Sequence, residues 1–154
     1  VNQTIDDQLG DSVTGTVPTY DPITIEGSSC SSCSVNRGGI DKSQIFKGTW
    51  HDSSNRPAGQ SLTITAHFTG TAVYAFHIIP VNIVGVPLVT SLEFFLDGAQ
   101  VGTYVNQPSS SAPSHFLYQV PVFSKSGLSN TAHKFQIVSS TDNTVTLFDY
   151  IVYT

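Results

Sequence analysis

From residue 62 onward the chain alternates apolar and polar side chains, and that period of two leaves little room for anything but strands. Leu62, Ile64, Ala66 and Phe68 interleave with Thr63, Thr65, His67 and Thr69. Successive side chains of a strand point to opposite faces, so this pattern is that of a half-buried strand. Gly70-Thr71 reads as a turn. Ala72 to Ile79 is apolar on both faces and stops at Pro80, as a central strand does. Leu92, Phe94 and Leu96 give the next strand, Asp97-Gly98 a hairpin turn, and Gln100 to Val105 the return. After a Pro/Ser loop, Phe116, Tyr118, Val120 and Val122 alternate again. Ser124 to Thr131 reads as a polar connection, His133 to Ile137 as a strand, 139–143 as a turn, and Val145 to Tyr153 as the closing strand. Before residue 62 the pattern is less regular. Val17 to Ile25 predicts one strand and Ile45 to Trp50 another. No amphipathic helix of three turns can be drawn. Strands at this spacing predict a single all-β domain over residues 1–154, an antiparallel β-sandwich or jelly roll.

The closing strand holds an anomaly. Asp149 lies inside the apolar run Phe148 to Tyr153, on the face that a strict period of two gives to Leu147, Ile151 and Tyr153. A buried charge costs several kcal/mol unless it is paired, hydrogen-bonded or bound to a metal. Candidates to meet it stand at the other end of the chain, Asp6 and Asp7. This predicts that the first and last strands lie close together.

Composition narrows the function. The chain carries 6 Lys+Arg against 11 Asp+Glu, a formal charge of -5, which argues against a nucleic-acid footprint. No apolar run is long enough to span a membrane. Charged residues are 11% of the total, and serine and threonine take their place on the surface, a balance common in secreted β-proteins. No leader is legible and the chain opens on Val1 rather than Met, as expected where a leader has been cleaved or trimmed away. Asn2-Gln3-Thr4 is a glycosylation sequon. Cys30 and Cys33 sit in a serine-rich stretch with no helical pattern after them and no second ligand pair. A redox motif or a zinc site therefore fits poorly. What remains is a short disulfide pinning a loop in an oxidising compartment, or two free thiols.

Six motifs recur in a telling order: Val1-x-x-x-Ile5-Asp6-Asp7, Gly48-Thr49-Trp50-His51-Asp52, Phe68-Thr69-Gly70-Thr71-Ala72-Val73, Phe95-Leu96-Asp97-Gly98, Phe123-Ser124-x-Ser126-Gly127-Leu128-Ser129-Asn130-x-x-His133 and Phe148-Asp149-Tyr150-Ile151. Together they resemble the galactose-binding-domain-like modules of fungal, especially basidiomycete, secreted and cell-surface proteins, over nearly the whole chain. The resemblance implies a jelly-roll sandwich held outside the cell and similar to carbohydrate-binding modules. In such modules an Asp of the final strand and acids near the first strand hold a structural calcium. Carried over, that points to Asp149 with Asp6 and Asp7. The other role for these carboxylates is to accept backbone N–H groups, with Asp6 and Asp7 in a turn. The fold hosts lectins, enzyme-appended modules and plain structural domains, so it does not fix function.

Candidate ligand contacts cluster after the first third of the chain. Trp50 has an apolar body and one polar handle, which suits stacking on a pyranose, and it would serve equally as a plug at the sandwich end. His51, Asp52, Asn55 and Arg56 would bond sugar hydroxyls beside it, with Tyr104 or Tyr118 adding ring surface. Tyr74, Phe76 and Ile78 share a face that is either an aromatic platform or covered by a loop. His77 reads as a satisfied interior histidine and His133 as structural. Catalysis finds little support. There is no Gly-x-Ser-x-Gly elbow, and Glu26 and Glu93 are the only glutamates for a carboxylate pair. The leading expectation is an extracellular, non-catalytic module for polysaccharide or glycoprotein glycans. A structural or protein-interaction module is the alternative, and a polysaccharide hydrolase or lyase comes third.

Overall fold

A computed structural model describes residues 1–54, 56, 59–85, 89–139 and 144–154. Its strands are β1 (Gln3–Asp6), β2 (Gly10–Asp11), β3 (Thr19–Asp21), β4 (Ile25–Glu26), β5 (His51–Asp52), β6 (Leu62–Pro80), β7 (Thr90–Leu96), β8 (Ala99–Asn106), β9 (Phe116–Ser139) and β10 (Leu147–Tyr153). The helical turns among the described residues are short 3-10 turns between Gly27 and Gly48. The fold is an antiparallel all-β sandwich, as the alternation predicts.

Two long strands organise it. β6 and β9 pair antiparallel from Leu62↔Ser139 to Pro80↔Phe116. The first half of this ribbon carries β3 on one edge and β7 and β8 on the other. The second half carries β10, then β1 and β2. Each long strand therefore serves both halves of the sandwich. The main core lies between the halves, where Phe94 stacks on Phe123 at 4.7 Å between ring centroids. The first and last strands do pair, with Ile5 opposite Ile151 and Asp6 opposite Tyr150.

Four sequence expectations change here. Gly70-Thr71 is not a turn, because β6 runs straight through it. A Cβ at Gly70 would collide with the carbonyl of Thr154, so the glycine marks a close approach of two backbones rather than a reversal. Ser124 to Thr131 is not a connection either. This part of β9 is mostly exposed, so it reads polar on both faces although it is a strand. Ile45 to Trp50 is not a strand. Lys47 and Gly48 adopt φ of 51° and 77°, left-handed values that break an extended run. The strand predicted over Val17 to Ile25 is split into β3 and β4 by Pro22, which has no N–H to donate. The predicted turn after Ser139 falls on residues outside the described set.

A second, smaller core forms on the outer face of the β6–β10 sheet. Val35, Ile45 and Trp50, from the segment between β4 and β5, pack on Ile78, Phe116 and Leu147. The Cys30–Cys33 disulfide closes within this segment, with both residues buried and a Cα–Cα distance of 5.5 Å. Gly27 lies so close under the Trp50 indole that a Cβ there would clash with the ring. Asp149 sits at a β-bulge between Phe148 and Tyr150. The extra residue reverses the side-chain parity. Phe148, Ile151 and Tyr153 face the main core while Leu147 faces the second one, which corrects the shared face expected for Asp149.

Candidate functional site

β4 and β5 form a short ladder, Ile25↔Asp52 and Glu26↔His51, that extends the end of β10. The loop before β4 and the loop after β5 rise side by side from it. Between them lies a pocket of about 290 Å³ lined by Pro22, Ile23, Thr24, Ile25, Asp52, Ser53, Arg56 and Gln60. Its apolar wall is open to solvent: Ile23 is 92% exposed and Ile25 45%. Its polar side is fixed. Asp52 is buried, with Oδ1 accepting the Ser54 N–H at 2.6 Å and Oδ2 reached by the Trp50 indole N–H at 3.5 Å. Burial pushes the Asp52 carboxyl up, and these donors pull against it. The Arg56 guanidinium donates to the Ser139 carbonyl and the Thr144 hydroxyl, each at 2.9 Å. Ser53 Oγ accepts the Thr146 N–H at 2.8 Å. The Thr24 hydroxyl oxygen is buried without a hydrogen-bond partner. The loop after β5 is thus tied to the chain before β10.

Of the residues singled out in the sequence, the structure brings Asp52 and Arg56 to this pocket. Trp50 is 1% exposed and plugs the second core, so it presents no ring face to a sugar. His51 turns away to Asp7, its Nδ1 2.8 Å from Oδ2, and stacks on Tyr20 with ring centroids 3.8 Å apart. Tyr118 packs beside the second core and its hydroxyl accepts the Asp41 N–H at 2.7 Å. Tyr104 packs against the main core from β8. Neither tyrosine lines the pocket. Asn55 lies outside the described residues. The wall from Pro22 to Ile25 was missed because its alternation, Ile-Thr-Ile, reads as strand.

The three candidate metal ligands are buried near one another under the segment from Ile45 to His51. Asp6 Oδ1 accepts the N–H groups of Gln8 and Leu9 at 3.1 and 2.7 Å. Asp7 accepts the Thr49 hydroxyl at 2.6 Å and faces His51. The Asp149 carboxyl group accepts the N–H of Phe46, while its backbone carbonyl accepts the N–H of Asp7 at 3.2 Å. Burial pushes the Asp149 carboxyl up to about 8, with Asp7 and Asp6 adding to the shift. Asp6 Oδ2 is buried with no partner. A calcium ion takes six to eight oxygens. Among the described residues no three His, Cys, Asp or Glu side chains converge to hold a metal ion. Apart from Asp6 Oδ2, the oxygens of these acids are turned to separate partners, and one free oxygen does not fit calcium in this arrangement.

The aromatic face of β6 is partly covered. Ile78 lies under the second core, while Tyr74 and Phe76 stay half-buried. Phe76 stacks on Tyr150 at 4.6 Å and Tyr150 on Phe46 at 4.5 Å. The rings spend their faces on each other. His133 is structural in its geometry: its ring nitrogens reach Asp97 at 2.7 Å and the Ser129 carbonyl at 2.9 Å. His77 is buried as expected, but neither ring nitrogen meets a partner.

No protein-family model matches the chain, and no curated protein matches it. Among solved structures it is similar to the Agl-KA catalytic domain, at 11% identity and a TM-score of 0.52, over 99% of this chain and 27% of that one. It is also similar to the catalytic domain of a GH87 alpha-1,3-glucanase in complex with nigerose, at 8% identity and a TM-score of 0.47, over 99% of this chain and 28% of that one. An exo-beta-1,3-galactanase from Phanerochaete chrysosporium with galactose matches at 15% identity and a TM-score of 0.43, over 90% of this chain and 30% of that one. The chain thus spans less than a third of the length of each of these proteins. The first of these likenesses bears on the fold alone.

Proposed function

We propose that this chain is an extracellular, non-catalytic carbohydrate-binding module for cell-wall or surface glycans, with the pocket between the β3–β4 and β5–β6 loops as its site. The observation that carries the reading is the pairing of a solvent-open apolar wall, Ile23 and Ile25, with fixed polar groups on Asp52, Ser53 and Arg56. A pyranose has the matching character: C–H groups on one face and a rim of hydroxyls. Ligand pockets of this kind combine apolar walls with a few placed polar groups. Asp52 is the one acidic side chain among the described residues lining the pocket. Glycoside hydrolysis needs two carboxylates across the bond, which favours binding over cleavage. A disulfide agrees with an extracellular setting.

The test is retention on a panel of insoluble glucans and galactans together with a glycan array. Ile23→Ser removes apolar wall from an exposed position. It is expected to weaken binding about tenfold while leaving the melting temperature unchanged. Absence of binding across the panel would leave the chain a structural or protein-interaction module.

A further inference from the structure

β6 keeps one partner along its whole length but changes partner on its other edge. There Thr63 to Thr65 pair with β3, and Val73 to Ile78 pair with β10. Among the described residues no strand pairs with that edge from Ala66 to Gly70. An open edge presents backbone N–H and C=O groups. The turn that follows β2 folds over this opening and makes a groove of about 370 Å³ with His67, Phe68 and Thr69 along one side.

The groove contains a carboxylate set in place. Asp11 is 4% exposed. Its Oδ1 accepts the Val13 N–H at 3.1 Å and the Tyr153 hydroxyl at 2.8 Å, and its Oδ2 accepts the Thr14 hydroxyl at 2.8 Å. Burial acts to raise its pKa, and these hydrogen bonds outweigh burial and hold it below the usual carboxylate value. The group is therefore ionised at neutral pH. Each of these donors is neutral, and among the described residues Asp11 has no ion-pair partner. Oδ1 takes two of these hydrogen bonds and Oδ2 one, and the Thr14 N–H also acts on the carboxylate. Around it, Gln3, Thr16, His67 and Thr69 supply groups that both donate and accept, and Val13 supplies exposed apolar surface.

We propose that this groove is a second saccharide site, seating one neutral pyranose unit with a hydroxyl on Asp11 and its apolar face on Val13. It rests on the glycan-binding reading above and shares no lining residue with the first pocket. One carboxylate among hydroxyl, amide and imidazole groups suits a neutral polyol better than a metal ion, which takes six to eight oxygens. Two sites on one chain let the module bridge two glycan strands, or hold one strand with an avidity beyond either site.

The experiment is an amide-resolved NMR titration of the whole chain with nigerose, cellohexaose and galactotriose, and separately with methylammonium. Saccharide is expected to shift two groups of amides, Thr24, Ser53 and Gln60 at the first pocket and Val13, Thr16 and Thr69 at the groove. Thr69→Val, at an exposed strand position, should weaken the groove response roughly threefold to tenfold and leave the pocket unaffected. Ile23→Ser should do the reverse. Shifts at the pocket alone would overturn the second site while sparing the glycan reading. Shifts at neither would overturn both. A groove that answers methylammonium and no saccharide would be a cation site, and the proposal would fall.

Discussion

The backbone N–H of Phe46 donates to the carboxylate of Asp149, 103 residues further along the chain, at 3.1 Å to Oδ1 and 3.4 Å to Oδ2. The acid that looks out of place in the closing strand is thus the anchor for the segment laid across it. From this anchor Phe46 stacks on Tyr150, and Tyr150 on Phe76. The same segment continues into Trp50 and then β5, which supplies Asp52 to the pocket. Fold and candidate site are joined through one side chain.

The Asp149 anchor separates two substitutions by chemistry. Asp149→Asn keeps an oxygen for the Phe46 N–H and, since burial pushes the carboxyl up to about 8, replaces a group that is mostly protonated at pH 7 with another neutral one. It is expected to stay within about 1 kcal/mol of the parent. Asp149→Leu leaves the part-buried Phe46 N–H without an acceptor and is expected to cost about 1–3 kcal/mol. Urea unfolding of the two variants measures the difference. Equal stability of the pair would remove the anchor from the account.

Chelation asks about the same acids in another way. Asp6, Asp7 and Asp149 each have N–H or O–H donors in this fold. The melting temperature is therefore expected to be the same in EDTA and in excess calcium. A bound ion would stabilise the folded state in proportion to the logarithm of its concentration, so a rise with added calcium would show that the three carboxylates close around one.

Several of these features were legible in the sequence, and the reasons others were not are physical. Leu62 to Phe68 announced itself because one face meets the core and the other meets water. The pairing of chain ends was legible from Asp149, a charge that needed company. The cysteines read as a short bridge because nothing around them suited other chemistry. Gly70 misled because glycine serves close approach as well as turns. The segment from Gly27 to Gly48 has no period, since its apolar residues reach the second core from irregular turns. The bulge at Asp149 is invisible to any strict alternation. At the pocket, loop position marked Asp52 and Arg56. The apolar wall opposite them carries no polar signature to mark it.

His77 gives the fold a predictable weakness in acid. It is fully buried, and burial pushes its imidazole down to about 3 from an ordinary 6.5. Between those values the unfolded chain binds the proton and the folded chain does not. Its contribution to stability is therefore full above about pH 6.5 and declines as pH falls toward 3. The maximum slope is about 1.4 kcal/mol per pH unit. His77→Leu removes the linkage. Going from pH 7 to pH 4.5, the variant is expected to lose about 2–3 kcal/mol less than the parent, read from urea midpoints at the two pH values. Parallel losses would mean that the ring is solvated in the folded protein.

The disulfide tests how far the second core depends on its own loop. Cys30 and Cys33 close a ring only three residues apart in sequence, so the chain-entropy gain is small, about 2 kcal/mol. Replacing both with serine also puts two hydroxyls where two buried sulfurs stood, at 6% and 4% exposure. The segment bearing them packs over Trp50, the chain's one tryptophan, through Gly27. The double variant is therefore expected to melt at a lower temperature and to shift the indole emission to the red, while the far-ultraviolet strand signal persists. Strand pairing between β6 and β9 does not pass through this segment. A cooperative loss of all β-structure on reduction would show instead that the second core is required for the sandwich itself.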